Sequence, residues 1–106
     1  GQRAFEEIDL QTYTQRVFSM FGGEKKTVSM QFENSLLDSV IDRFGTKNAS
    51  YSKVDDEHFS VSVEVELSNQ FYSWLLQFGE KAKITHPKAV VNKIRKFLEN
   101  MVLQYI

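Results

Sequence analysis

His58 and His86 are the two histidines of the chain, and neither has a metal-binding side chain at i+3 or i+4. One sits in a turn and the other at a helix start, where an exposed or capping histidine is the ordinary occupant. Asp55-Asp56-Glu57 is acidic enough to touch a cation but lacks the Asp-x-Asp-x-Asp-Gly spacing of a calcium loop, so it reads as a solvated hairpin turn. There is no cysteine, which removes thiolate nucleophiles, disulfides and Cys-type zinc sites. The serines stand in no Gly-x-Ser-x-Gly setting. Glu33-Asn34-Ser35 follows an alternating run at the place where related folds cradle an anion. It has no glycine and carries a negative charge, which argues against phosphate. Lys88, Lys93, Arg95 and Lys96 spread around a helix and are tempered by Glu99, as on a solvated face. Asn48-Ala49-Ser50 matches a glycosylation sequon, but no signal peptide accompanies it. The expectation is a protein that is not an enzyme and binds no metal and no cofactor.

The elements that position these residues are written more clearly. Phe59, Val61, Val63, Val65 and Leu67 alternate with Ser60, Ser62, Glu64 and Glu66, the signature of a half-buried strand. Ser68 stands at an N-cap position, Phe71, Trp74, Leu75 and Phe78 follow at helical spacing, and Gly79 sits at the C-cap. Lys26 to Phe32 alternates in the same way, with Val28, Met30 and Phe32 on one side. Asn34 or Ser35 then caps a helix carrying Leu36, Leu37, Val40, Ile41 and Phe44, closed by Gly45. Ala49 to Lys53 reads as a weaker strand, joined to Phe59–Leu67 as a hairpin. Lys81 to Thr85 is a short strand with Ala82 and Ile84 inward. Pro87 suits the first turn of the last helix, whose apolar positions are Val90, Val91, Ile94, Phe97, Leu98, Met101 and Tyr105. Ahead of all this, Asp9 caps a helix with Leu10, Tyr13, Val17 and Phe21 on one stripe and Phe18 beside it, ended by Gly22-Gly23.

In order, residues 26–106 give β-α-β-β-α-β and then a helix. That predicts an α+β, ferredoxin-like antiparallel sheet with two helices on one face, an extra N-terminal helix and a long C-terminal helix. At 106 residues the chain is one domain, burying roughly two-thirds of its unfolded surface. Its net charge of −1 creates no field for nucleic acid. No run approaches a membrane span, and the absence of cysteine fits a reducing cytoplasm. The outward strand positions Thr27, Ser29, Gln31, Ser60, Ser62, Glu64 and Glu66 include no aromatic side chain on which RNA bases would stack. Interaction with another domain or subunit falls to the first helix, through Tyr13, Phe18 and Phe21, and to Tyr72, which lies off the main stripe of its helix.

Three passages together resemble the C-terminal extension, WCX, of WYL-domain transcriptional regulators, bacterial proteins with an N-terminal winged helix-turn-helix. They are Phe5-Glu6-Glu7-Ile8-Asp9; Val28-Ser29-Met30-Gln31-Phe32 through Leu36 to Val40-Ile41-Asp42-Arg43-Phe44-Gly45; and Phe71-Tyr72-Ser73-Trp74-Leu75-Leu76-Gln77-Phe78-Gly79 with Ala82-Lys83-Ile84-Thr85-His86-Pro87 and the last helix. The resemblance implies a ferredoxin-like domain associated with dimer assembly and with relaying a signal between WYL barrel and DNA-binding module. Residues 1–25 would then be a lead-in from an upstream WYL domain, and 26–106 the C-terminal domain. Gly1 in place of Met fits a piece of a longer protein. The partners implied are the upstream WYL and helix-turn-helix domains and a second copy, with DNA met only through the missing module and no membrane. The alternative is a stand-alone small-molecule-binding module of ferredoxin-like fold, its site between sheet edge and helix or at a dimer interface.

Overall fold

The computed structural model describes residues 24–106. The elements are β1 (Lys25–Glu33), a 3-10 turn (Asn34–Leu36), α1 (Leu37–Phe44), β2 (Ala49–Lys53) and β3 (His58–Glu66). After them come α2 (Asn69–Leu76), a 3-10 turn (Gly79–Lys81), β4 (Ala82–His86), α3 (Lys88–Val102) and a last 3-10 turn (Leu103–Tyr105). The four strands form one antiparallel sheet in the order β2-β3-β1-β4. The class is α+β. The expected N-terminal helix, with Tyr13, Phe18 and Phe21, lies outside the described residues.

The register makes one face apolar. Val28 pairs with Val63, Met30 with Val61 and Phe32 with Phe59, so alternate residues of the two central strands point to the same side. All six are buried. Tyr51 of β2 faces Val61, and Ile84 of β4 faces Met30, extending that side to both edges. Val40 of α1, Phe71, Tyr72 and Leu75 of α2, and Val90 of α3 close over it into one cluster. Across the sheet, Ser29 pairs with Ser62, Gln31 with Ser60 and Thr27 with Glu64, so the opposite side carries polar side chains. A register shift between Ser29 and Met30 bends the pairing with β4, and the Thr85 hydroxyl donates to the Ser29 carbonyl at 3.2 Å across it.

Aromatic rings fasten the helices to the sheet. Phe32 stacks on Phe59 (ring centroids 5.5 Å) and meets Trp74 (6.0 Å) and Phe78 (6.2 Å) edge-on. Phe44 of α1 meets Trp74 of α2 at 5.2 Å, and the Arg43 guanidinium lies 5.6 Å from the Trp74 ring. Each such pair adds about 0.5–1.5 kcal/mol beyond area burial.

Three local expectations are corrected. Neither Asn34 nor Ser35 caps α1: the chain passes through a 3-10 turn first, and the residue ahead of α1 is Leu36, without a side-chain cap. The Asn34 amide instead donates to the Asp56 carbonyl at 3.0 Å, tying the end of β1 to the β2–β3 hairpin. Gly79 does not cap α2, which ends at Leu76 with Gln77 as its cap; it takes φ +62° at the opening of the next 3-10 turn. The apolar stripe of the last helix splits: Val90, Val91, Ile94 and Phe97 pack on the core, while Leu98, Met101 and Tyr105 are exposed.

Candidate functional site

Two places on the described residues carry exposed large apolar side chains. Leu37 and Val54 lie near the β2–β3 hairpin; Leu98, Met101, Val102, Leu103, Tyr105 and Ile106 lie at the far end of α3 and just beyond it. Among the described residues these two patches hold the large apolar side chains that are fully in the exposed class, so they are where a partner would gain by contact.

The hairpin patch borders an open cleft of about 510 Å³ between edge strand β2 and α1. Leu37, Tyr51 and Phe59 form its apolar wall, and Asn34, Lys53, Asp55, Asp56 and His58 line it as well. Its geometry follows from the hairpin. The Asp55 carboxylate accepts the Glu57 amide N–H at 2.8 Å, closing a local turn, and lies 2.8 Å from His58 Nδ1. Those hydrogen bonds, the one with His58 first, hold the Asp55 carboxyl below its ordinary 3.8. Asp56 pairs with Lys53 at 3.2 Å. Tyr51 donates its hydroxyl to the Gly45 carbonyl at 2.7 Å, where Gly45 ends α1 with φ +73°, and partial burial pushes the phenol up. A neighbouring groove of about 340 Å³ adds Glu33, Ser35 and Glu57 around Asn34 and Asp56. Acidic groups therefore outnumber basic ones around the cleft. No group of three metal-ligating side chains occurs among the described residues.

The second patch is a shallow groove of about 480 Å³ along α3, lined by Arg95, Leu98, Glu99, Val102 and Leu103. The near half of the same helix is pinned in place. Lys93 reaches Glu24 at 3.1 Å and holds that carboxyl below its usual range, chiefly through the hydrogen bond. Phe97 covers Tyr72 with ring centroids 5.0 Å apart. That contact corrects the reading of Tyr72 as a partner-facing residue. It is 8 % exposed, and burial pushes its phenol up. α3 occupies the side of α2 that a one-helix view of the sequence leaves open. Tyr13, Phe18 and Phe21 lie outside the described residues.

The alternative reading of the sequence placed a site between sheet edge and helix, but it named none of the residues that line this cleft. One signal was present. Leu36 and Leu37 are adjacent, and neighbours on a helix stand about 100° apart, so both do not enter one core equally.

The family model of the WCX domain matches residues 24–102. The chain belongs to the WCX family. WCX is the C-terminal extension of WYL-domain regulators. The match runs from the first described residue to the end of α3, so it takes in the hairpin patch and, of the second, Leu98, Met101 and Val102 of this WCX domain. A comparison with curated proteins returned no match. Among the described residues no helix is long and apolar enough to cross a membrane.

Proposed function

We propose that this chain is the C-terminal assembly and relay domain of a WYL-type transcriptional regulator, without catalytic activity of its own. The observation that carries the reading is the WCX match over residues 24–102. Two features support it. Among the described residues the exposed large apolar groups are concentrated in two patches instead of scattered, as on a domain that meets neighbours. The pinned near half of α3 would present its far half in a fixed direction, through Lys93–Glu24 and Phe97–Tyr72. The reading also assigns the domain to the ferredoxin-like class. Its support is the element order β-α-β-β-α-β, with β1 and β3 central and every strand pair antiparallel. A ligand bound upstream would act by shifting which domain arrangement is populated. DNA would be met only through the helix-turn-helix module, in the cytoplasm of a bacterium.

The test is the parent regulator with and without this domain. Light scattering across a concentration range and operator binding by titration are the readouts. Removal should weaken self-association by about tenfold or more, with operator binding falling alongside, since a dimer holds two half-sites. Unchanged mass and unchanged operator affinity would sink the assembly role.

The cleft between β2 and α1 favours one second reading, a small-molecule module, because it lies between a sheet edge and a helix and has an aromatic wall. A ligand-induced rise in the melting temperature of the wild-type chain, lost in Tyr51→Ala, would support it.

A further inference from the structure

We infer that edge strand β2 is an interface between two copies of this chain, which pair β2 with β2 antiparallel about a two-fold axis at Tyr51. The inference rests on the assembly reading above and names a surface for it.

The two edges of the sheet differ. β4 is guarded: α3 packs against it, its register with β1 shifts between Ser29 and Met30, Lys83 stands within it, and Pro87, which has no N–H, follows it. β2 has none of these devices. Its register with β3 runs unbroken from Ala49–Val63 to Lys53–Phe59, and Ala49, Ser50, Tyr51 and Ser52 carry neither charge nor proline. Among the described residues no strand lies on its outer side. An edge of this kind is a template for another strand.

The backbone decides which strand fits. The Val54 N–H donates to the His58 carbonyl at 3.0 Å. Hydrogen-bonded and non-bonded pairs alternate along an antiparallel ladder, so Ser52 and Ser50 also direct their backbone groups to β3. Ala49, Tyr51 and Lys53 therefore turn their N–H and C=O groups to the open side. Against a second copy, with Tyr51 facing Tyr51, Ala49 of each strand faces Lys53 of the other. Every outward residue of both strands is then paired. A slip by two residues in either direction leaves one on each copy without a partner. In this register the strand is complementary to itself, and the two sheets join into one.

Charge agrees with that direction. Lys47 is the charged side chain between Gly45 and β2, and it is exposed. Asp42 and Arg43, ahead of it on α1, balance each other. At the other end Lys53 and His58 stand against Asp55, Asp56 and Glu57, an acidic excess that the pairs Lys53–Asp56 and His58–Asp55 do not cancel. With Tyr51 on the axis, Lys47 of each copy comes level with Asp55 of the other. A parallel pairing would bring the two acidic hairpin ends together.

The test uses the full 106-residue chain. Sedimentation velocity over a range of concentrations should find monomer and dimer, and amide hydrogen exchange is read in both. The amides of Ala49, Tyr51 and Lys53 should exchange about tenfold or more slowly in the dimer, while those of Ser50 and Ser52 are protected in both states. Ala49→Pro removes one outward N–H and no bond to β3, and it should weaken association by about tenfold or more without lowering Tm. Lys47→Glu leaves the backbone alone and should weaken association as well, most at low salt. A dimer whose three outward amides exchange as in the monomer would overturn the inference, and so would two variants that associate like wild type. Full protection already in the monomer would put a segment of the same chain on this edge and overturn it. Protection that appears only on adding the parent regulator's upstream domains would put one of their strands there, with the same consequence. A chain that stays monomeric while the parent regulator still needs this domain to dimerise would overturn this contact and leave the assembly reading standing.

Discussion

Asp55 shows how much a single exposed side chain organises here. Its carboxylate receives the Glu57 N–H and lies against His58 Nδ1, so one group sets the turn that shapes the cleft rim. Both hydrogen bonds favour the ionised form, which is why its pKa lies below the ordinary 3.8. A carboxyl with a depressed folded-state pKa binds its proton more readily in the unfolded chain. Its stabilisation is therefore present above 3.8 and lost as pH falls through the folded value. Asp55→Asn should unfold at lower urea than the parent at neutral pH, and the gap should close on acidification below 3.8. Urea titrations at a series of pH values check this. A gap that stays constant across that range would mean that the charge of Asp55 contributes nothing.

At the scale of elements, each helix end depends on a few local bonds. Ser68 Oγ accepts the Phe71 N–H at 3.2 Å and starts α2, whose Phe71, Tyr72 and Leu75 are all buried. Ser68→Ala should cost about 1 kcal/mol, as loss of a helix N-cap generally does. Chemical denaturation reads it directly, and a cost near zero would show that packing alone sets the start of α2. That cap was legible in the sequence, as were β1, β2 and β3, because a face with period two is imposed by the backbone and needs no partner to be read. What failed depends on neighbours distant in sequence. Asn34 stands where a cap belongs, but it finds the Asp56 carbonyl across the hairpin and bonds there instead. Tyr72 lies off the stripe of α2, yet α3 brings Phe97 over it. The stripe of α3 continues past Phe97 at unbroken spacing, and nothing in periodicity tells where the sheet beneath it stops. The lining of the cleft was illegible for the same reason, since it is set only once α1 and β2 are side by side.

Across the whole molecule, the same composition serves two purposes, and stability measurements separate them. Met30 sits at the centre, fully buried on β1 between Val61 of β3 and Ile84 of β4. Truncating it leaves a cavity where three strands meet. Met30→Ala should cost about 2–5 kcal/mol, a large share of the roughly 5–15 kcal/mol typical of a whole domain. Leu103 is of similar size, but it is 65 % exposed beyond the end of α3. Leu103→Ala should change stability by about 0.5 kcal/mol or less in dilute solution, where copies do not meet. Trp74 reports both, being the single tryptophan and wedged among Phe32, Phe44 and Phe78. Its fluorescence through a urea titration should give a much lower midpoint for Met30→Ala, with the slope unchanged. For Leu103→Ala the midpoint should match the parent. Equal losses from the two substitutions would mean that the far end of α3 is covered within its own chain. It would then be part of the core and unavailable for docking.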